Sequence, residues 1–407
     1  MGASPPDTAG TPGRAQQALI ALVQVLGLTV WFSATAVAPT LRQLWSISDS
    51  GAVWLTATVQ LGFVAGALIS TALNLADRFR PQRLLAASAL GAAACTAAMA
   101  GFAQGLAAAV VLRTLTGVFL AGVYPVGMKL MASWSPSAGR GRSFGILIGA
   151  LTLGSAVPHL IRGLGELPWQ AVLYTAAALT AAGAVVAVTT LRPGPHGGFG
   201  RFQPNPRYAL TMFTARGPRL ANLGYFGHMW ELYAWWTWLP AFVLASQAAR
   251  GQDLGRGANL VTFLAVGVAG VAGCLLGGWV SDRYGRPVAG AGAMAVSGSC
   301  CLASPLFFAA PPAVLVVFLL LWGAAVIADS GVFSTSLSET ADRRYVGSAL
   351  TAQTAFGFLL TVVTIQLVPI AAALVGWRYA FLILLPGPYL GAVAMRTLGR
   401  PAPDPGT

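Results

Sequence analysis

The chain has 407 residues, of which 56% are hydrophobic and only 9% charged. A soluble domain carries about 25% charged residues, so this chain cannot cover a water-facing surface, and its apolar faces must meet lipid. The net charge of +13 is scattered between long apolar runs, with no basic face or stripe, which excludes a nucleic-acid binder as well as a soluble domain and a disordered chain.

A helix needs about 20 apolar residues to cross the hydrocarbon core. Twelve such runs follow one another, here spans 1 to 12, at about 18–40, 52–75, 84–104, 107–132, 143–162, 168–191, 219–246, 257–281, 288–309, 312–338, 347–375 and 376–397. The last two are separated only by Gly376 and the charge of Arg378. No ten-residue block alternates with period two, so a β-barrel is excluded. The fold class predicted is an all-α membrane protein of twelve transmembrane helices in two pseudo-symmetric six-helix bundles. The expected boundaries are a tail at 1–17, bundles at 18–191 and 219–397, a proline- and arginine-rich linker at 192–218, and a tail at 398–407. The first run is too long for a signal peptide and lacks a cleavage pattern.

Of the 24 basic residues, Lys129 is the one lysine and the rest are arginine. Seventeen arginines fall on the side of the chain termini and five, Arg42, Arg162, Arg250, Arg256 and Arg378, on the other. The positive-inside rule then puts both termini in the cytoplasm, and the alanine and arginine bias suggests a bacterial inner membrane.

Along the chain, span 1 carries Gln24, Trp31 and Thr35 on one stripe. In span 4, Arg113, Gly117 and Tyr124 share a stripe at helical spacing, whereas Lys129 lies about 24 Å further along, able to snorkel to the interface. Span 5 reads Gly145-x-x-x-Gly149, then Gly154, Pro158 and His159, the spacing at which small residues let helices approach; His159 reads as a kink-and-surface feature. Span 7 is the densest in polar groups, with His228, Glu231 and Trp235 near one face. An acid near the bilayer centre is disfavoured in its charged form unless paired, as a proton carrier requires; the alternative is a structural ion pair with Arg113. Span 10 adds Asp329 near Trp322 and Phe333. Cys95, Cys274, Cys300 and Cys301 lie in apolar stretches without metal-ligand spacing and read as packing residues. There is no phosphate loop, zinc motif or nucleophile elbow, so neither an enzyme nor a cofactor is expected.

The halves echo each other. Asp77-Arg78 answers Asp282-Arg283, Gly122-Val123-Tyr124 answers Gly331-Val332-Phe333, and Trp169 answers Trp377, at nearly equal offsets. Repeated halves are a mark of secondary transporters, with the solute site between them near the midplane. The stretch Gly278-Trp279-Val280-Ser281-Asp282-Arg283-Tyr284-Gly285-Arg286 resembles the signature loop of the major facilitator superfamily. Leu75-Ala76-Asp77-Arg78 looks like its eroded first copy, and Arg113-x-x-x-Gly117 is similar to that family's intramembrane arginine motif. The resemblance implies that spans 1, 4, 7 and 10 line a central cavity. It also implies that Asp77, Arg78, Gly278, Asp282, Arg283, Gly285 and Arg286 form a conformational latch, each aspartate meeting the start of a helix of the other half. Within the superfamily the chain looks most like the nitrate/nitrite porter and cyanate permease branch. It departs from that branch in having no arginine in spans 2 and 8, where Cys274 stands near the second position, and no asparagine in spans 5 and 11.

The functional expectation is a secondary transporter, symporter or antiporter, moving a small solute, an anion by preference, by alternating access. Gln24, Trp31, Arg113, Tyr124, His228 and Trp235 are expected to bind the solute, with Glu231, then Asp329, carrying a coupled proton. The partners expected are the solute, the bilayer and protons, with no nucleic acid, and the chain is expected to be monomeric. The rivals are an exporter of amphipathic cations and a non-transporting sensor or scaffold.

Overall fold

The computed structural model describes residues 11–73, 75–136, 140–165, 167–196, 211–252, 257–342 and 345–401. The side chain of Asp77 and most of the linker lie outside the described residues. Regular structure among the described residues is helical throughout. Ten helices are long and apolar enough to cross a membrane. The other two passages are span 1, which is broken, and span 7, which carries the polar residues noted above.

Span 1 is two helices, Thr11–Gly27 and Ser33–Trp45, joined by a turn at 28–32. Span 4 breaks at 121–123 between Leu106–Leu120 and Tyr124–Ser133, and span 10 breaks at 328–329 between Pro312–Ile327 and Ser330–Thr340. The breaks in spans 4 and 10 occupy equivalent places in the two halves. Span 7 is one continuous helix, Arg216–Ala249. Span 8 runs through Gly257–Thr262, a π-helical turn Phe263–Val268 and Ala269–Tyr284. The rest are Asp49–Ala72 (span 2), Pro81–Phe102 (3), Arg140–Leu164 (5), Trp169–Thr190 (6), Arg286–Phe307 (9), Val346–Val375 (11) and Trp377–Leu398 (12, with a 3-10 turn at Phe381–Leu384). Prolines stand in the first turn of spans 3, 9 and 10, where the missing N–H costs nothing. Gly285 at φ +89° and Gly376 at φ +80° make the sharp reversals from span 8 to 9 and from 11 to 12, a conformation that disfavours a Cβ.

Packing repeats with the chain. In the first half spans 1·5, 1·6, 2·4, 3·4 and 3·6 are neighbours; in the second half 7·11, 7·12, 8·10, 9·10 and 9·12 are their counterparts. The tryptophan echo is structural too: Trp169 packs on Trp45 of span 1, and Trp377 on Trp238 of span 7, each at 5.7 Å between ring centroids. The halves meet chiefly along spans 5·8 and 2·11. A Cβ on Gly145 would stand 2.8 Å from the Cys274 carbonyl, and one on Gly278 2.9 Å from the Gly141 carbonyl. Small residues here allow backbone to meet backbone.

Candidate functional site

Arg113 is fully buried, and its guanidinium serves the break in span 1. It donates to the carbonyl oxygens of Val30 (2.8 Å), Trp31 and Leu55 (3.1 Å) and to Ser33 Oγ (3.4 Å). The turn at 28–32 leaves carbonyls without helical partners, and one planar cation satisfies two of them while tying span 1 to span 2. This corrects two expectations. Arg113 does not pair with Glu231, and it shares no continuous stripe with Tyr124, because span 4 breaks between them.

The turn that Arg113 holds presents Trp31 to the other half. Its ring centroid lies 5.2 Å from Phe63 of span 2, 5.9 Å from Tyr233 of span 7 and 5.8 Å from Phe358 of span 11. Phe63 and Phe358 meet across the halves at 4.5 Å. Phe32 adds contacts to Tyr233 and Trp236. Rings from both halves thus close on one buried point in the middle of the bundle. Among the described residues, Trp31 Nε1, Trp236 Nε1 and both amide atoms of Gln60 are buried without a hydrogen-bond partner, as is Gln24 Oε1 further along span 1. Gln24 donates to the Val123 carbonyl (3.2 Å) at the break of span 4. Phe63, Tyr233, Phe358 and Gln60 went unnoticed in the sequence, because neutral and apolar residues in an apolar span give no charge signal. Tyr124 is half-buried at the start of the second helix of span 4.

Span 7 has two polar faces. Glu231 turns away from the first half. Its Oε1 accepts from Trp322 Nε1 (2.7 Å) and Cys301 Sγ (3.2 Å), and its Oε2 from Ser297 Oγ (2.9 Å). Spans 9 and 10 supply all three donors, and all are neutral. Cys301 is therefore more than packing. Trp235 packs against Trp322, tilted, at 5.5 Å between centroids; it is fully buried within the second half and so is not among the rings that meet between the halves. His228 faces the break in span 10: its Nδ1 lies 2.8 Å from Asp329 Oδ1 and its Nε2 2.8 Å from Ser330 Oγ. Among the described residues no donor is aligned on Asp329 Oδ1, so the two side chains touch without forming a straight hydrogen bond. His159, expected at the surface, is buried between the halves, its Nδ1 3.1 Å from Asn259 Oδ1 of span 8.

The end bearing the arginine loops is closed. Asp282 Oδ2 accepts from the backbone N–H of Arg142 (3.1 Å) in the first turn of span 5, where the helix dipole favours an anion. Arg286 bridges Asp282 (3.3 Å), Glu339 (3.4 Å) and Ser281 Oγ (2.9 Å). Arg283 lies over the Tyr284 ring and Arg78 is exposed. At the same end, where spans 2 and 11 meet, Thr71 Oγ1 and Thr351 Oγ1 are 3.4 Å apart.

A family model described as Major Facilitator Superfamily matches residues 20–365. The chain belongs to the major facilitator superfamily. Among characterised proteins it is similar to a probable sulfoacetate transporter of Cupriavidus necator, 28% identical over 227 residues, the match covering 51% of each chain. A gallate transporter of Pseudomonas putida is 26% identical, over 65% of this chain and 64% of that one. A niacin transporter of Acinetobacter baylyi is 24% identical, over 70% of this chain and 72% of that one. The match thus spans about half the length of the first of these relatives and under two thirds of the second. Among solved structures, a nucleoside transporter and a proton:xylose symporter each superpose with a TM-score of 0.69 at 15% identity, covering 95% of this chain. At that identity the superposition speaks for the fold alone. The superfamily membership and the relatives make the chain a non-enzymatic, multi-pass membrane protein.

Proposed function

We propose that this superfamily member is a secondary transporter that carries small organic anions by alternating access between its two halves. The observation that supports this most is the meeting of Trp31 and Phe63 with Tyr233 and Phe358 across the halves, ringed by N–H groups that have no partner in the protein. Arg113 lies directly behind Trp31 and lends positive potential to that point without touching the solute. The relatives named for sulfoacetate, gallate and niacin favour organic acids. Nitrate is not our reading, since spans 2 and 8 lack arginine. Glu231, enclosed by three donors on the far face of span 7, is poorly placed as a counter-charge for a cationic drug.

We assign proton coupling to the His228–Asp329 pair rather than to Glu231. The pair joins span 7 to the break of span 10 and sets a ring nitrogen 2.8 Å from a buried carboxylate oxygen on which no other donor is aligned, a place where a proton can be taken up and released. We place both termini on the cytoplasmic side of a bacterial inner membrane and take the working unit to be the monomer. The test is counterflow in proteoliposomes with panels of organic anions and organic cations. Exchange of anions alone is the expected result. Exchange of cations alone, or of nothing by a folded protein, would overturn the reading.

A further inference from the structure

Span 2 presents one stripe to span 1, made of Thr56, Gln60 and Phe63 at helical spacing. Both ends of that stripe are fixed by contacts: Thr56 Oγ1 lies 2.7 Å from Thr35 Oγ1, and Phe63 packs on Trp31 and on Phe358. Gln60 therefore sits between spans 1 and 2 beside the rings that join the halves. It is completely buried, and among the described residues neither its amide nitrogen nor its amide oxygen has a hydrogen-bond partner. Trp31 Nε1, 1% exposed by residue, is also unpartnered. A buried amide is ordinarily satisfied, and leaving one unpaired is costly. Two unpaired donors set among rings that belong to separable halves are accounted for if the missing partner is the solute.

We infer that Gln60 and Trp31 read the carboxylate of the solute through neutral N–H groups, and that the solutes so selected are flat, conjugated carboxylates. The inference rests on the proposed function and narrows its solute class. Gln60 offers two N–H donors and Trp31 one, and a carboxylate has acceptor sites for all three. Hydrogen bonds to a charged acceptor are the stronger kind, so neutral donors suffice where the guanidinium of Arg113 is occupied by carbonyls. The rings supply the second criterion. Phe63 and Phe358 are tilted by 32° and Trp31 and Phe358 by 38°. A flat solute entering as the halves part exchanges ring–ring contacts for ring–solute contacts on both faces, which a puckered solute cannot do.

The test is equilibrium dialysis of labelled benzoate against the purified full chain, with benzamide and cyclohexanecarboxylate as competitors. The wild type should bind benzoate at least about tenfold more tightly than either competitor, a factor of ten being a modest difference in contacts. Gln60→Met, which keeps the volume, should shrink the benzoate-to-benzamide ratio to within about threefold. Gln60→Glu should invert it, since a carboxylate facing a carboxylate repels. Trp31→Leu should shrink the benzoate-to-cyclohexanecarboxylate ratio instead. Ratios within one variant do not depend on how much of it is folded. The inference is overturned if wild type binds no benzoate, if it binds cyclohexanecarboxylate equally well, or if both Gln60 variants keep the wild-type ratio. Counterflow of aliphatic anions by the wild type in that event would leave the transport reading standing while this one falls.

Discussion

Arg113 and Glu231 show how the same signal, a charge in an apolar span, leads to two structural roles. Both stood out in the sequence, since burying a charge in a span is costly, but their partners did not. Carbonyls freed by a turn carry no sequence mark, and Leu28-Thr29-Val30-Trp31-Phe32 reads as ordinary helix. Replacing Arg113 by lysine removes the planar fork and takes away donors that now reach buried carbonyl oxygens of spans 1 and 2. At about 1–3 kcal/mol each, the loss should lower the thermal unfolding midpoint. It should reduce exchange of all solutes in proportion, with no change in selectivity. A selective loss for anions would return Arg113 to the binding site. For Glu231 the isosteric amide can keep its oxygen toward Trp322 and turn its N–H2 to Ser297 Oγ, which can accept. Glu231→Gln should therefore cost under about 1.5 kcal/mol, and Glu231→Ala about 3 kcal/mol or more, in denaturant or thermal unfolding. Equal losses in the two variants would contradict the hydrogen-bond assignment.

Among the elements, the helices were readable because a run of apolar residues long enough to cross oil has few other uses. Their interruptions were not. The breaks in spans 1, 4 and 10 contain no proline, and the inference that Arg113 and Tyr124 share a face failed because helical periodicity stops at a break. The break in span 10 is where His228 meets Asp329, so proton binding there can alter how span 10 sits on span 7. Asp329→Asn should lower the ratio of pH-gradient-driven accumulation to counterflow at least about tenfold, measured in the same vesicles, while Glu231→Gln should hold the wild-type ratio. Loss of coupling in Glu231→Gln with coupling intact in Asp329→Asn would reverse the assignment. At the arginine-rich end, a Cβ on Gly141 would lie 2.2 Å from Asp282 Oδ1. Gly141→Ala should push the carboxylate off the start of span 5 and loosen spans 5 and 8. Maleimide labelling of Cys274, buried at that junction, should then accelerate several-fold over wild type; an unchanged rate would show that Asp282 is no latch.

For the whole molecule, the division into halves was legible from repeated residues, and the repeat extends to paired helices, paired breaks and paired tryptophan contacts. What the sequence could not reveal is how the halves touch, because an interface of glycines, threonines and aromatic rings has no charge pattern of its own. Solute binding between the halves requires them to part and rejoin. Thr71 and Thr351 lie on opposite halves with hydroxyls 3.4 Å apart, close enough for a disulfide between cysteines placed there. The decisive measurement is counterflow of a labelled organic anion by a Thr71→Cys, Thr351→Cys double variant in proteoliposomes, oxidised and then reduced. The rocking of the two halves predicts that oxidation stops exchange and reduction restores it. Full exchange with the cross-link in place would show that solute does not pass between the halves.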